Sequence, residues 1–153
     1  MAGTTRGEAT IEVAASPDRL YKLVSDITRM GEWSPECCRC EWLDGATEAT
    51  VGARFEGHNR SGPLRWTTTP TVRRADPGRE FAFTVTIDGR DVTHWRYRLE
   101  PSGAGTRVTE SYEFVWAPLH LRIADVLLQR DRQLRAGMRK TLERLKTVAE
   151  TGD

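Results

Sequence analysis

Apolar and polar residues alternate along much of this chain, and where the alternation stops a helical period takes over. Glu8 to Ala14 sets Ala9, Ile11 and Val13 against Glu8, Thr10 and Glu12, the pattern of a strand with one buried face. Ala15-Ser16-Pro17-Asp18 reads as a helix start. Ser16 can cap, Pro17 fits the first helical position, and Asp18 suits the positive end of the dipole. Leu20, Leu23, Val24 and Ile27 supply the apolar face, and a second short helix or turn over Thr28 to Trp33 stops at Pro35. Six strands then follow: Cys37–Leu43, Ala53–Asn59, Leu64–Arg73, Glu80–Ile87, Val92–Glu100 and Thr106–Trp116. Turn residues at Asp44-Gly45, Ser61-Gly62-Pro63, Asp76-Pro77-Gly78, Asp88-Gly89 and Pro101-Ser102-Gly103 separate them. Connections this short make neighbours antiparallel, because a parallel pair needs a crossover of a dozen or more residues. With the N-terminal strand, the expectation is a seven-stranded antiparallel sheet.

Pro118 opens a last helix expected to reach about Glu150, with Leu119, Ile123, Leu127, Leu134, Met138, Leu142 and Leu145 on one stripe. A helix of roughly 30 residues is near 45 Å long at about 1.5 Å per residue. That is too long for a flat sheet of short strands, so the sheet is expected to curve around it. Gly137, on the inner stripe, either permits close approach of a strand or marks a bend.

Strand parity sorts the sheet residues into two faces. Thr93, Trp95, Tyr97 and Leu99 share one face, His94, Arg96 and Arg98 the other. Phe81, Phe83, Val85 and Ile87 point together, as do Trp66, Thr68, Pro70 and Val72, and as do Val108, Glu110, Tyr112 and Phe114. The inner surface thus combines large aromatic rings with Thr and Tyr hydroxyls, the mixture of a small-molecule pocket. The same residues would equally serve as a solid core.

Glu110 stands out, because a lone carboxylate on an apolar face is costly to bury. Arg130 falls on the helix stripe between Leu127 and Leu134, and counting back from Pro118 places both about 15 to 20 Å along their elements, where they can meet. The pair would be a polar floor that orients a ligand carbonyl or hydroxyl, with Glu110 the candidate general acid or base. The competing readings are a structural ion pair or exposure at a bulge. Phe55, His58, Asn59 and Arg60 lie near a strand end that a cavity mouth would use, and Trp33 beside Pro35 is either a rim or packing. His94, of outward parity, and His120, at a helix start, read as solvated.

Composition narrows the partners. Lys plus Arg is 23 and Asp plus Glu is 22, a formal charge of +1, which provides no global field for nucleic acid or an anionic membrane. The local crowding of basic residues over Arg130 to Arg144 is broken by acids, as on a solvated helix face. Apolar residues are 38% and charged residues 29%, and no apolar run approaches the roughly 20 residues of a membrane span. Met1 to Glu12 lacks the apolar core of a signal peptide, which points to the cytoplasm. Cys37, Cys38 and Cys40 fall within four positions. Because adjacent strand residues face opposite ways, no metal site is expected from them, only reduced thiols. Nucleophile elbows, phosphate loops and His-Glu-x-x-His are absent, and no cofactor is expected. A homodimer is left open.

The order strand, two short helices, six strands, long helix resembles the helix-grip fold of the START-like (SRPBCC) superfamily, which includes the birch-pollen-allergen proteins. The segments "IEVAASPDRLYKLVSDITRMGEWSPE", "VGARFEGHNRSGPLRW", "DPGREFAFTV" and "HWRYRLEPSGAGTRVTESYEF", with the closing amphipathic helix, are similar to its polyketide cyclase/dehydrase-like branch. The resemblance implies one α+β domain over residues 1–153 with an internal cavity between the sheet and the last helix. That cavity would be lined by Trp33, Phe55, Asn59 and Trp66, by Phe83, Val85, Trp95 and Tyr97, by Glu110, Tyr112 and Phe114, and by Leu127, Arg130 and Leu134. It implies an apolar or aromatic, polyketide- or lipid-like ligand. Binding and carriage is one reading, and a cyclase or dehydratase acting in the same cavity is the alternative. A regulatory domain contacting another protein is a more distant third. Convergence of two or more titratable groups in the cavity would separate enzyme from carrier.

Overall fold

The computed structural model describes residues 6–116 and 124–151, with the helix side chains described from Gln129 onward. The first strand, β1 (Arg6–Val13), leads into helix α1 (Pro17–Ser25), where the Ser16 side chain accepts a hydrogen bond from the Arg19 N–H and Pro17 occupies the first turn. A 3₁₀ helix (Ile27–Glu32) follows. The strands are β2 (Cys37–Trp42), β3 (Phe55–Ser61), β4 (Leu64–Thr68), β5 (Thr71–Asp76), β6 (Glu80–Ile87), β7 (Arg90–Ser102) and β8 (Gly105–Phe114). Helix α2 (Ala124–Glu150) closes the fold. The expected helix start at Pro118, together with Leu119, His120, Ile123 and the Leu127 side chain, lies outside the described residues.

All strand pairs are antiparallel, ordered β1-β8-β7-β6-β5 in a five-stranded sheet and β2-β3-β4 in a three-stranded one. The expected strand Leu64–Arg73 is interrupted at Thr69-Pro70, since Pro cannot donate to a ladder. Its two halves serve different sheets. Across this corner the Phe55 N–H donates to the Pro70 carbonyl and the Val72 N–H to the Ala53 carbonyl, so the surface curves rather than ends. Asp88 and Gly89, with φ of 52° and 77°, form the tight turn that starts β7 directly at Arg90.

The parity readings largely hold. Phe81, Phe83, Tyr97, Leu99, Val108 and Tyr112 are buried, while Arg96 and Arg98 are exposed. Ile87 is a correction: a register shift between Val85 and Thr86 releases it from the inner face, and it is exposed. Helix α2 crosses the inner side with Leu134, Met138, Leu142, Leu145 and Ala149 buried. Gly137 faces Pro35, whose Cγ lies 3.4 Å from the place of a Cβ, so it serves close approach to the loop before β2. The C-terminal carbonyls of α2 are satisfied by Arg19, whose Nε donates to the Ala149 carbonyl at 2.9 Å. Among the described residues, no helix is long and apolar enough to cross a membrane.

Candidate functional site

The inner face carries two apolar clusters. The larger gathers Trp33, Phe55, Phe81, Phe83, Tyr97, Leu99 and Val108 with Leu142 and Leu145 of α2. The smaller joins Tyr112 with Leu134 and Met138, and Ala9, Trp95 and Phe114 pack against it partly buried. Trp95 and Tyr112 have ring centroids 5.6 Å apart, Tyr112 and Phe114 5.4 Å.

Glu110 lies between the clusters. It follows Val108 and precedes Tyr112 on the inner face of β8, with Ala9 of β1 on one side and Tyr97 of β7 on the other. It is 5% exposed, and its Oε1 has no hydrogen-bond partner among the described residues. Burial pushes its carboxyl up to about 8, an effect that the Tyr97 hydroxyl beside it only partly opposes. Burial, and then the neighbouring Glu110, likewise hold the Tyr97 hydroxyl well above its ordinary range. Near neutral pH Glu110 is therefore mostly a neutral acid, able to donate one hydrogen bond and accept others.

The expected Glu110–Arg130 pair does not form. The Arg130 guanidinium grips Glu36 with both terminal nitrogens, at 2.5 and 2.8 Å, and lies over the Trp66 ring at 5.6 Å. The two side chains are 30% and 24% exposed. Eight residues at about 100° each turn Arg130 some 80° from Met138, so it sits on the flank of the stripe rather than over β8. The expectation treated distance along each element as sufficient, whereas rotation about α2 decides the contact.

The other candidates divide by burial. Trp33 is 1% exposed and belongs to the packed core rather than to a rim. Phe55, Phe83 and Tyr97 are core residues too, with Phe55 edge-on to Phe83 at 5.3 Å. Trp66, Val85, Trp95 and Phe114 are half-buried, and Asn59 donates weakly to the Gly57 carbonyl and to Thr68. The Tyr112 hydroxyl donates to Asp131, which also accepts from Arg135. His58 faces away from the buried Phe55 and Gly57 and pairs with Glu56 at 2.9 Å. His94 is half-buried and shares a 2.7 Å hydrogen bond with Thr84.

Among the described residues, Glu41, Glu56 and His58 bring ligand atoms within 4.8 Å of one another. Arg39 already supplies the cation there, 3.4 Å from both Glu41 and His58. Two depressions open to solvent, about 660 and 650 Å³, lie elsewhere. One runs among outward residues including Arg74, His94, Arg96 and Arg98, the other between Pro35-Glu36, Ser61-Gly62 and Gln133 to Lys140. Neither is centred on Glu110.

Glu36 and the Cys37–Cys40 contact escaped the reading of the sequence. A register shift between Cys37 and Arg39 turns Cys37 and Cys40 inward together and leaves Cys38 exposed, which strict alternation does not allow. The two-residue gap between Cys37 and Cys40 was the available signal.

Residues 4–150 match the family model described as polyketide cyclase / dehydrase and lipid transport. Curated proteins contain no match. Among solved structures, the polyketide-cyclase-like protein Cgl2372 of Corynebacterium glutamicum is 34% identical over 98% of this chain and 94% of its own, with a TM-score of 0.65. A START superfamily protein of Mycobacterium smegmatis is 15% identical over 97% and 99%, with a TM-score of 0.73. The di-domain ARO/CYC StfQ of the steffimycin biosynthetic pathway is 16% identical, covering 98% of this chain and 52% of that one, with a TM-score of 0.77. The last two likenesses concern the fold.

Proposed function

The chain belongs to the polyketide cyclase / dehydrase and lipid transport family, and from that premise we propose that it binds an apolar or aromatic, polyketide-like small molecule between the inner face of the five-stranded sheet and α2. The observation that carries this reading is Glu110: a carboxyl buried between two apolar clusters, held neutral, with Oε1 unpaired among the described residues. An unsatisfied buried polar atom costs about 1 to 3 kcal/mol. A ligand hydroxyl donating to Oε1 and a ligand carbonyl accepting from the carboxyl proton would each recover part of that cost. Trp95 and Phe114, half-buried beside the smaller cluster, and Val85, half-buried beside the larger, supply apolar contact for the rest of the molecule.

A cyclase or dehydratase activity is the second reading. It draws support from the adjacency of Glu110 and Tyr97, because an acid titrating near 8 is matched to proton transfer at neutral pH. Tyr97 stays protonated across that range, which leaves one group to move protons, and binding is the reading we favour.

The test uses two ligands of one shape, an aromatic ketone and its hydrocarbon counterpart, titrated against an environment-sensitive apolar dye. Binding is expected to be saturable for both. Glu110→Leu should weaken the ketone by about tenfold, the worth of one hydrogen bond at about 1.4 kcal/mol, and leave the hydrocarbon within about twofold. Ketone affinity should also fall above about pH 8, where Glu110 loses the proton it donates. Failure of either ligand to saturate would sink the proposal, and equal loss for both would remove Glu110 from the site.

A further inference from the structure

β2 opens with Cys37-Cys38-Arg39-Cys40, and the register shift between Cys37 and Arg39 breaks the alternation of faces. Cys37 and Cys40 end on the same side, 6% and 4% exposed, with their sulfurs 2.9 Å apart. A disulfide requires about 2.05 Å, so closing the bond takes a movement of less than about 1 Å. The surroundings hold this arrangement. The Cys37 N–H donates to Ser34 Oγ at 3.1 Å, and Cys40 Sγ lies 3.9 Å from Met30 Sδ. Gly31 presses the 3₁₀ helix onto the strand so closely that a Cβ there would stand 2.7 Å from the Cys38 carbonyl oxygen. The pair is also asymmetric. The hydrogen bond that the two sulfurs share lowers the Cys37 thiol from its ordinary value and, with burial, raises that of Cys40. Cys37 is thus the better nucleophile, and Cys40 the group that keeps its proton until the second step.

We propose that Cys37 and Cys40 are a redox-modification site that closes to a reversible disulfide when the protein meets a low-molecular-weight disulfide such as oxidised glutathione. The Cys37 thiolate attacks one sulfur of the small disulfide, forms a mixed disulfide and releases one small thiolate, which takes up the proton that Cys37 has lost. The Cys40 thiol then gives up its proton and attacks Cys37 Sγ. This forms the protein disulfide and expels the second small thiolate, which is protonated in turn. Two cysteine sulfurs are oxidised by two electrons in all, and one small disulfide is reduced to two thiols. Excess small thiol reverses both steps. Cys38, exposed on the other side, takes no part and serves as an internal reference. Because both reacting sulfurs are buried, the first attack requires local opening at the start of β2, which makes the reaction slower than modification of Cys38.

The whole chain is equilibrated in glutathione buffers from reducing to oxidising, quenched in acid, alkylated and weighed. Trypsin cuts after Arg39, so a Cys37–Cys40 bond links the fragments Met30–Arg39 and Cys40–Arg54. In the oxidised sample Cys37 and Cys40 should both escape alkylation without carrying glutathione, with loss of two hydrogens and recovery of the linked fragments, whether or not exposed Cys38 has taken up glutathione. Cys38→Ser, a change at an exposed position, should oxidise as the native chain does and give the same link. Cys37→Ser and Cys40→Ser should not form it. The proposal is overturned if all thiols of Cys38→Ser stay titratable in oxidising buffer. It is also overturned if the native chain accumulates only glutathione adducts, or if Cys38→Ser abolishes the link. Should either inward variant fail to fold, the native chain and Cys38→Ser decide the matter by themselves.

Discussion

Replacing Glu110 by Gln tests the electrostatic account of the site, because Gln keeps the shape of the side chain and cannot ionise. In the unfolded chain Glu110 gives up its proton near 4.5, and in the folded protein it keeps it to about 8. Between those values the folded state binds more protons, so stability falls as pH rises. The contribution is fully present below 4.5 and is lost as pH passes through 8. Each unit is about 1.36 kcal/mol, so the whole span is about 5 kcal/mol, of which about 4 falls between pH 5 and pH 8.5. Urea unfolding of the two proteins across that interval is the assay. Other groups titrate alike in both, so the difference isolates residue 110. The variant should gain about 4 kcal/mol on the native chain from pH 5 to pH 8.5. Parallel pH profiles, within about 1 kcal/mol, would show that Glu110 is solvated or has a cationic partner. Had Arg130 been that partner, Glu110→Gln would have been destabilising, most of all above pH 5, so the two arrangements predict opposite signs.

Two further outcomes follow from the packing. A double-mutant cycle of Glu36→Gln with Arg130→Met should show coupling of about 1 kcal/mol, modest because both side chains are about a quarter to a third exposed; the cycle of Glu110→Gln with Arg130→Met should show none, and the reverse result would restore the pair expected from the sequence. Gly105→Ala should cost at least about 2 kcal/mol in thermal or urea unfolding, since its Cβ would stand 2.2 Å from the Val13 carbonyl oxygen, a backbone atom fixed in the β1–β8 ladder. An unfolding free energy within about 0.5 kcal/mol of the native value would contradict that packing.

What the sequence determined by itself was whatever depends on the local repeat of the backbone. A strand shows alternate residues to opposite faces, so Trp95 and Tyr97 were separable from Arg96 and Arg98 without knowing what lay on either side. Ser16-Pro17 announced α1, and the spacing of Leu134, Met138, Leu142 and Leu145 announced the buried stripe of α2. The unusual position of Glu110, a carboxyl on an apolar face, was also visible as a violation of that pattern. Contacts that depend on how two elements are rotated and offset were decided only by the tertiary structure. The flank of α2 carries Arg130 to Glu36, about a quarter-turn of helix away from the partner that residue counting suggested. One register shift in β2 placed Cys37 beside Cys40, and another in β6 released Ile87 to the surface. Periodicity describes one element at a time, whereas a bulge or a helix rotation is chosen by the packing of several elements at once. The protonation of Glu110 has the same origin: burial among the side chains of two packed clusters keeps the carboxyl neutral, a property of the assembled core that no single segment carries.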